Sequence, residues 1–216
     1  MQSIVIIGAG GHAKAVIHTI EREGKYHIAG LLDANKEPGS LVYGYAILGD
    51  DTWLEQNAIR AGIIAIGDNA VRAAVSADLK SDYPDFQFIT AIDPAAIIAR
   101  GAEIGAGTVV MAGAIIGSDA VVGEHCIFYG HTCVEHDSVL ESFVSLAPKA
   151  TAGGQVRIGA CTAIGIGATI IHMATIGEHT VIGAGATVVR SIPALCVAYG
   201  TPASAKRSRS AGDKYL

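Results

Sequence analysis

The stretch Val110–Leu140, VMAGAIIGSDAVVGEHCIFYGHTCVEHDSVL, carries a large apolar residue at every sixth position: Val110, Ile116, Val122, Phe128, Val134 and Leu140. Outward from it, the same period runs back to Ile98 and forward to Val188, sixteen anchors without an insertion. Gly follows the anchor eight times, as at Gly105, Gly117 and Gly159. The fourth residue after the anchor is small or β-branched fifteen times, from Ala102 to Ala186. A period of six matches neither the 3.6-residue helix nor the alternation of a half-buried strand. It fits a triangular coil in which each hexad is one short strand and one corner. The anchor fills the interior, the small residue packs beside it, and Gly is expected to supply the turn conformation. Three hexads close a coil, so the repeat predicts about five coils, stacked like parallel strands roughly 4.8 Å apart.

Upstream of the repeat the pattern changes. Ser3–Ile7 reads as a strand, Gly8-Ala9-Gly10-Gly11-His12-Ala13 opens a helix to about Glu23, and Ile28–Leu32 is a second strand ending at Asp33. Ile63–Ile66 is a third strand, followed by Gly67-Asp68-Asn69 and a helix through Arg72 to Leu79. Strand, helix and strand alternate, which predicts a small α/β unit with a parallel sheet. The expected fold class is therefore α/β plus all-β: a Rossmann-like domain over residues 1–92, a parallel β-helix over 93–200, and a polar C-terminal tail over 201–216.

Composition narrows the function classes. Half the residues are hydrophobic and only 16% are charged, so the chain has ample apolar surface to fold. Mean hydropathy is high, at +0.42, yet no apolar run approaches the roughly 20 residues of a membrane span. The N-terminus lacks a basic region ahead of its apolar run, which reads as a strand and not as a signal peptide. A cytoplasmic location follows as the expectation. The net charge of −5 argues against nucleic-acid binding, and Lys206, Arg207 and Arg209 read as a solvated tail. Cys126, Cys133, Cys161 and Cys196 show no metal spacing and are expected to be buried free thiols.

Two constellations carry chemistry. Gly8-x-Gly10-x-x-Ala13, between strand and helix, is a phosphate-binding fingerprint, and Asp33 lies 20 residues beyond Ala13, suitably for ribose hydroxyls. The alternative is a glycine turn that only packs helix on strand. A dehydrogenase is a poor fit, because a β-helix follows where a substrate domain should stand. The second constellation comes from register. Residues eighteen apart share a corner of successive coils, so Ser118, His136, Gly154 and His172 form one column. That sets an imidazole beside a backbone N–H with no side chain between, as general-base acyl transfer requires. Glu135 and Asp137 are placed to hold the imidazole. Against this stands a solvated corner histidine, and His125 and His179 are read that way.

Taken together, Gly8 through Lys14, Leu32-Asp33, Leu48-Gly49-Asp50, Ile66-Gly67-Asp68-Asn69 with Arg72, Val134-Glu135-His136-Asp137, Phe143–Pro148 and Gly200-Thr201-Pro202-Ala203 resemble the bacterial nucleotide-sugar N-acetyltransferases of the bacillosamine and perosamine type, relatives of sialic-acid O-acetyltransferases. The resemblance spans nearly the whole chain. It implies a left-handed β-helix, a homotrimer, and acetyl-CoA as cosubstrate without a metal. It implies His136 as base, Asp137 as its companion, and the Gly154 N–H on the thioester carbonyl. It also implies that Ser145 and His172 line acetyl-CoA, and that Gly8, Gly10, Gly11, His12, Asp33 and Asn69 contact the nucleotide sugar. UDP-linked 4-amino-4,6-dideoxy sugars are the first expectation, and GDP- or dTDP-linked ones the next. The sequence departs from the family pattern at Ser145, where a His is common, and at Tyr129-Gly130, where Asn-Thr is common. Competing readings are a sialic-acid-type O-acetyltransferase, a noncatalytic trimer scaffold, and a zinc hydratase. The last rests on His131 and His136, which are spaced like two zinc ligands of hexapeptide-repeat carbonic anhydrases. Its third histidine should stand where Ala95 is.

Overall fold

The computed structural model describes residues 1–214. The N-terminal unit is a six-stranded sheet built from β1 (Gln2–Ile7), α1 (Gly11–Glu23), β2 (Tyr26–Leu32), β3 (Leu41–Val42), β4 (Tyr45–Gly49), a 3₁₀ turn (Asp51–Gln56), β5 (Ala61–Ile64), α2 (Asn69–Asp82) and β6 (Gln87–Phe88). The strand order is β3-β4-β2-β1-β5-β6, parallel apart from the β3–β4 hairpin. The chain leaves β1 toward β2 on one side and returns to β5 on the other. The carboxyl ends of β1, β2 and β5 therefore open a crevice beside α1 and α2, the usual ligand position in such sheets.

From Ala91 the chain winds as a left-handed parallel β-helix of two-residue strands on three faces. The first face runs Ala91–Ile92, Val109–Val110, Ile127–Phe128, Ser145–Leu146, Ala163–Ile164 and Val181–Ile182; the second and third faces follow six and twelve residues later. Each strand pairs in parallel with the strand eighteen residues on, as the period requires. From Val110 onward the anchors are buried almost completely, and Ala, Thr, Ser, Cys or Val at the fourth position closes the remaining interior. The first coil begins one hexad earlier than the sequence indicated, at Ile92.

The corner chemistry differs from expectation. The left-handed backbone conformation sits at the third residue after each anchor from Ile98 to Ile182. It is taken by Gly at 101, 107, 113, 167 and 185 and by non-glycine residues at the other ten corners, including His125, His131, Asp137 and Met173. The glycines directly after the anchors serve a different need. A Cβ on Gly105 would lie 2.5 Å from the Gly123 carbonyl carbon, and one on Gly159 would lie 2.4 Å from the Glu178 nitrogen. Gly is there so that one coil can pass against the next.

The tail reading is also corrected. Cys196–Gly200 and Ala203–Ser208 form an antiparallel hairpin that extends the first face. Arg209 is buried and donates to the His179 carbonyl at 2.7 Å and to the Asp213 carbonyl. The guanidinium thus ties the chain end to the last coil, while Lys206 and Arg207 remain exposed. Residues 215 and 216 of the expected tail lie outside the described residues. Among the described residues no helix is long and apolar enough to cross a membrane.

The two units share a packed seam. α1 lies on the first face, where Val109 and Ile127 join the apolar cluster of the sheet. Arg22 anchors it, with Nε 2.7 Å from Asp93 Oδ2. Burial raises the Asp93 pKa, but Arg22 and the Ala95 N–H outweigh burial and hold it below the usual carboxylate range.

Candidate active site

Register brings His136 and Gly154 together as expected. Both stand two residues after an anchor, at the corner between the second and third faces, on successive coils. A Cβ on Gly154 would lie 2.6 Å from His136 Nε2, so this glycine keeps open the space at the free ring nitrogen. The other nitrogen, Nδ1, is 2.7 Å from Asp137 Oδ2. Asp137 reaches it because the left-handed corner backbone, φ 56°, turns its side chain back along the coil. With Nδ1–H donating to the carboxylate, the Nε2 lone pair is left as the proton acceptor. The Gly154 N–H makes no hydrogen bond among the described residues. The His136 and Asp137 side chains are 58% and 53% exposed, open to an incoming substrate. His172 continues the column and is exposed, with its backbone against Gly153.

The second constellation is a cleft of about 600 Å³ at the ends of β1, β2 and β5. Gly8, Gly10, Gly11, His12 and Asp33 all line it. Gly8 has φ 98°, and a Cβ there would meet Ile66 Cγ1 at 2.9 Å. Asp33 holds the loop shape: Oδ2 accepts from the Ala9 N–H at 2.8 Å and Oδ1 from the Asn35 N–H at 2.9 Å. Asp68 caps α2 by accepting from the Ala70 and Val71 N–H groups at 3.0 Å. His12 Nδ1 is 3.0 Å from the Tyr129 hydroxyl, a contact between the glycine loop and the β-helix. Burial first, and Arg72 second, push the His12 pKa down to about 4, so the ring is neutral near pH 7.

Relatives of known structure fit both parts. Residues 3–79 match the PglD N-terminal domain family. The chain superposes on PerB from Caulobacter crescentus, solved in complex with CoA and GDP-perosamine, with TM-score 0.89 and 34% identity over 96% of this chain and 98% of that one. This chain belongs to the nucleotide-sugar N-acetyltransferase family. The acetyltransferase domain of PglB from Neisseria gonorrhoeae FA1090, in complex with acetyl coenzyme A, is similar at TM-score 0.88 and 31% identity, over 95% and 99% of the two chains. No curated protein sequence matches the chain. As a nucleotide-sugar N-acetyltransferase it is an acetyl-CoA-dependent enzyme.

Within that family frame, several expected positions move. Asn69 does not face the cleft; it is buried in the seam, where Nδ2 donates to the Thr162 carbonyl at 3.1 Å and Oδ1 accepts from Arg72 at 2.7 Å. Ser145 does not stand with His136 either. It lies on the first face, opposite the His136 corner, and is 6% exposed among residues that the N-terminal unit covers. His125 is not a solvated corner. Its ring is fully buried, stacked on Phe143 at 5.1 Å and edge-on to Phe88 at 4.5 Å, with Nε2 3.0 Å from Ser76 Oγ. Burial lowers its pKa to about 4. Of the thiols, Cys126 and Cys196 are buried, while Cys133 and Cys161 are half-buried. Burial pushes Cys126 up to about 12, and burial with the adjacent Glu135 pushes Cys133 up to about 11. No cluster of His, Cys, Asp or Glu among the described residues could hold a metal ion.

Sequence reasoning missed the α2 wall of the cleft, formed by Val71, Val75, Asp78 and Leu79. Their spacing of three to four residues put them on one helix face, and the placement of Gly67-Asp68 at the α2 start was the available signal.

Proposed function

We propose that the enzyme transfers an acetyl group from acetyl-CoA to the amino group of a nucleoside-diphosphate-linked amino-deoxy sugar, with His136 as general base. The observation that carries this reading is the opposition of His136 Nε2 to a side-chain-free Gly154. The sugar amine attacks the thioester carbonyl while Nε2 takes the amine proton. The Gly154 N–H donates to the oxygen as it becomes negative. The intermediate collapses by breaking the C–S bond, and CoA leaves as the thiol with the proton returned from His136. Asp137 holds the ring orientation and stabilises the imidazolium formed in between. Attack is direct, without an acyl-enzyme. Cys133 is the thiol nearest in sequence to His136, and its raised pKa leaves almost no thiolate at neutral pH.

The nucleotide cleft is the acceptor site in this reading, and GDP-, UDP- and dTDP-linked 4-amino-4,6-dideoxy sugars are the candidates. The relative bound to GDP-perosamine brings the GDP-linked acceptor forward beside the UDP-linked one. His136 is not among the residues lining the cleft of its own chain. The proposal is therefore a homotrimer in which the cleft of one subunit faces the His136 corner of another. A CoA-release assay over a panel of UDP-, GDP- and dTDP-amino sugars tests the function. Acetylation of at least one, abolished in His136→Ala, is expected. Acetylation of free sialic acid alone would overturn it in favour of O-acetyl transfer.

A further inference from the structure

We infer that Arg72 is a positioning residue that sets the nucleotide cleft on the β-helix, so that the acceptor sugar is presented in one fixed orientation. The inference rests on the functional reading above. Arg72 sits on the first turn of α2 and is 1% exposed. Its guanidinium spans three pieces of structure. Nη1 donates to the carbonyls of Ile66 at 2.9 Å and Gly67 at 3.1 Å, both in the cleft wall. Nε donates to the His125 carbonyl at 2.8 Å and Nη2 to the Phe143 carbonyl at 3.1 Å, equivalent corners of two successive coils. Nη2 also donates to Asn69 Oδ1 at 2.7 Å, and Asn69 in turn donates to Thr162 one coil further on.

The fork of a guanidinium has five N–H donors fixed in one plane, and this geometry uses them on both sides of the seam. Ile66 in turn backs the Gly8 turn, where any Cβ would strike it at 2.9 Å. Glycine loop, cleft wall and three consecutive coils are thereby joined through one side chain. A lysine is a single point charge and cannot bridge the same carbonyls. Displacements near 1 Å at a reacting centre can cost on the order of 100-fold in rate.

The test uses the full-length enzyme and the variants Arg72→Met, Arg72→Lys and Asn69→Ala. KM for the nucleotide sugar is expected to rise about tenfold in Arg72→Met, with KM for acetyl-CoA unchanged within twofold. Arg72→Lys and Asn69→Ala should rise less, in the same direction. Destabilisation alone would lower the amount of active enzyme and move neither KM. Trp53, the single tryptophan and part of the turn beside Asp50 and Asp51 of the cleft, gives an activity-independent readout. Its fluorescence is titrated with UDP, GDP and dTDP, and a weaker Kd in the variants is expected. A wild-type KM for the nucleotide sugar and a wild-type nucleotide Kd in folded Arg72→Met overturn the inference; should that variant not fold, the same result in Asn69→Ala does so. A wild-type enzyme that binds a nucleoside diphosphate yet acetylates no nucleotide sugar overturns the functional reading instead.

Discussion

In the proposed mechanism His136 takes the proton, Asp137 holds the ring and the Gly154 N–H meets the oxyanion, and each can be perturbed separately. His136→Ala removes the base and is expected to lower kcat by about 10²–10⁴-fold with little change in stability, because the side chain is largely exposed. Asp137→Asn keeps the shape but turns a charged acceptor into an amide, so the imidazolium loses its counter-charge. A smaller fall in kcat, with KM for both substrates retained, is the expected outcome in steady-state kinetics. Gly154→Ala is the sharper test, since its methyl would stand 2.6 Å from Nε2 and must displace the ring. Activity should fall toward that of His136→Ala while the melting temperature stays near wild type. Retained activity in Gly154→Ala would show that the open space beside Nε2 is not needed, and would remove the opposition of His136 and Gly154 from the mechanism. This triad was legible in the sequence because a fixed period converts sequence distance into spatial distance. Asn69 was misplaced for the converse reason. Its surroundings are set by docking of a second unit, with Thr162 93 residues away, and no period reports that.

At the scale of the coil, two classes of glycine carry different costs. Gly159→Ala would set a methyl 2.4 Å from the next coil's backbone, where nothing flexible can yield. Destabilisation of roughly 1–3 kcal/mol or more, the range of overpacking, is expected in denaturant unfolding. Gly167 has φ 64° with open space around its missing Cβ. Gly167→Asn should cost under about 1 kcal/mol, because Asn tolerates this backbone region and ten other corners already place a side chain there. Equal costs at the two positions would refute the distinction. The six-residue period itself was readable, since the anchors are aliphatic or aromatic nearly throughout. The left-handed corner position was not, because Asp, His, Phe, Lys, Gln, Cys and Met all occupy it, and turn strain absorbed by a repeating scaffold leaves no compositional mark. The C-terminal hairpin was invisible for a related reason: Ala203–Ser208 shows water a row of polar side chains that reads as tail.

At the scale of the whole molecule, the seam between the two units holds two imidazoles, His125 buried and His12 part-buried, whose charged forms burial disfavours. His125 is enclosed by Phe88, Phe143 and Ser76, and His12 lies between the glycine loop and Tyr129. Both have folded-state pKa values near 4, against about 6.5 in the unfolded chain. Between those values the unfolded chain binds more protons than the folded one, so stability rises with pH across that window. The contribution is complete above pH 6.5 and is lost as pH falls from 6.5 through 4, on the order of 3 kcal/mol for each histidine. For His125, Lys80 and Arg72 add to this by opposing the imidazolium, while Glu124 works against them. The Asp93–Arg22 pair fails only at lower pH, since its carboxylate is held below its usual range. Acid should therefore open the seam before it melts the β-helix, whose interior is apolar. His125→Phe removes one of the two titrations, because the flanking Phe88 and Phe143 already form an aromatic site; the lost Ser76 contact sets a constant offset. The melting temperature of the wild type is expected to fall more steeply between pH 7 and 4.5 than that of His125→Phe. Parallel pH profiles for the two proteins would show that this buried ring does not govern the acid sensitivity of the interface.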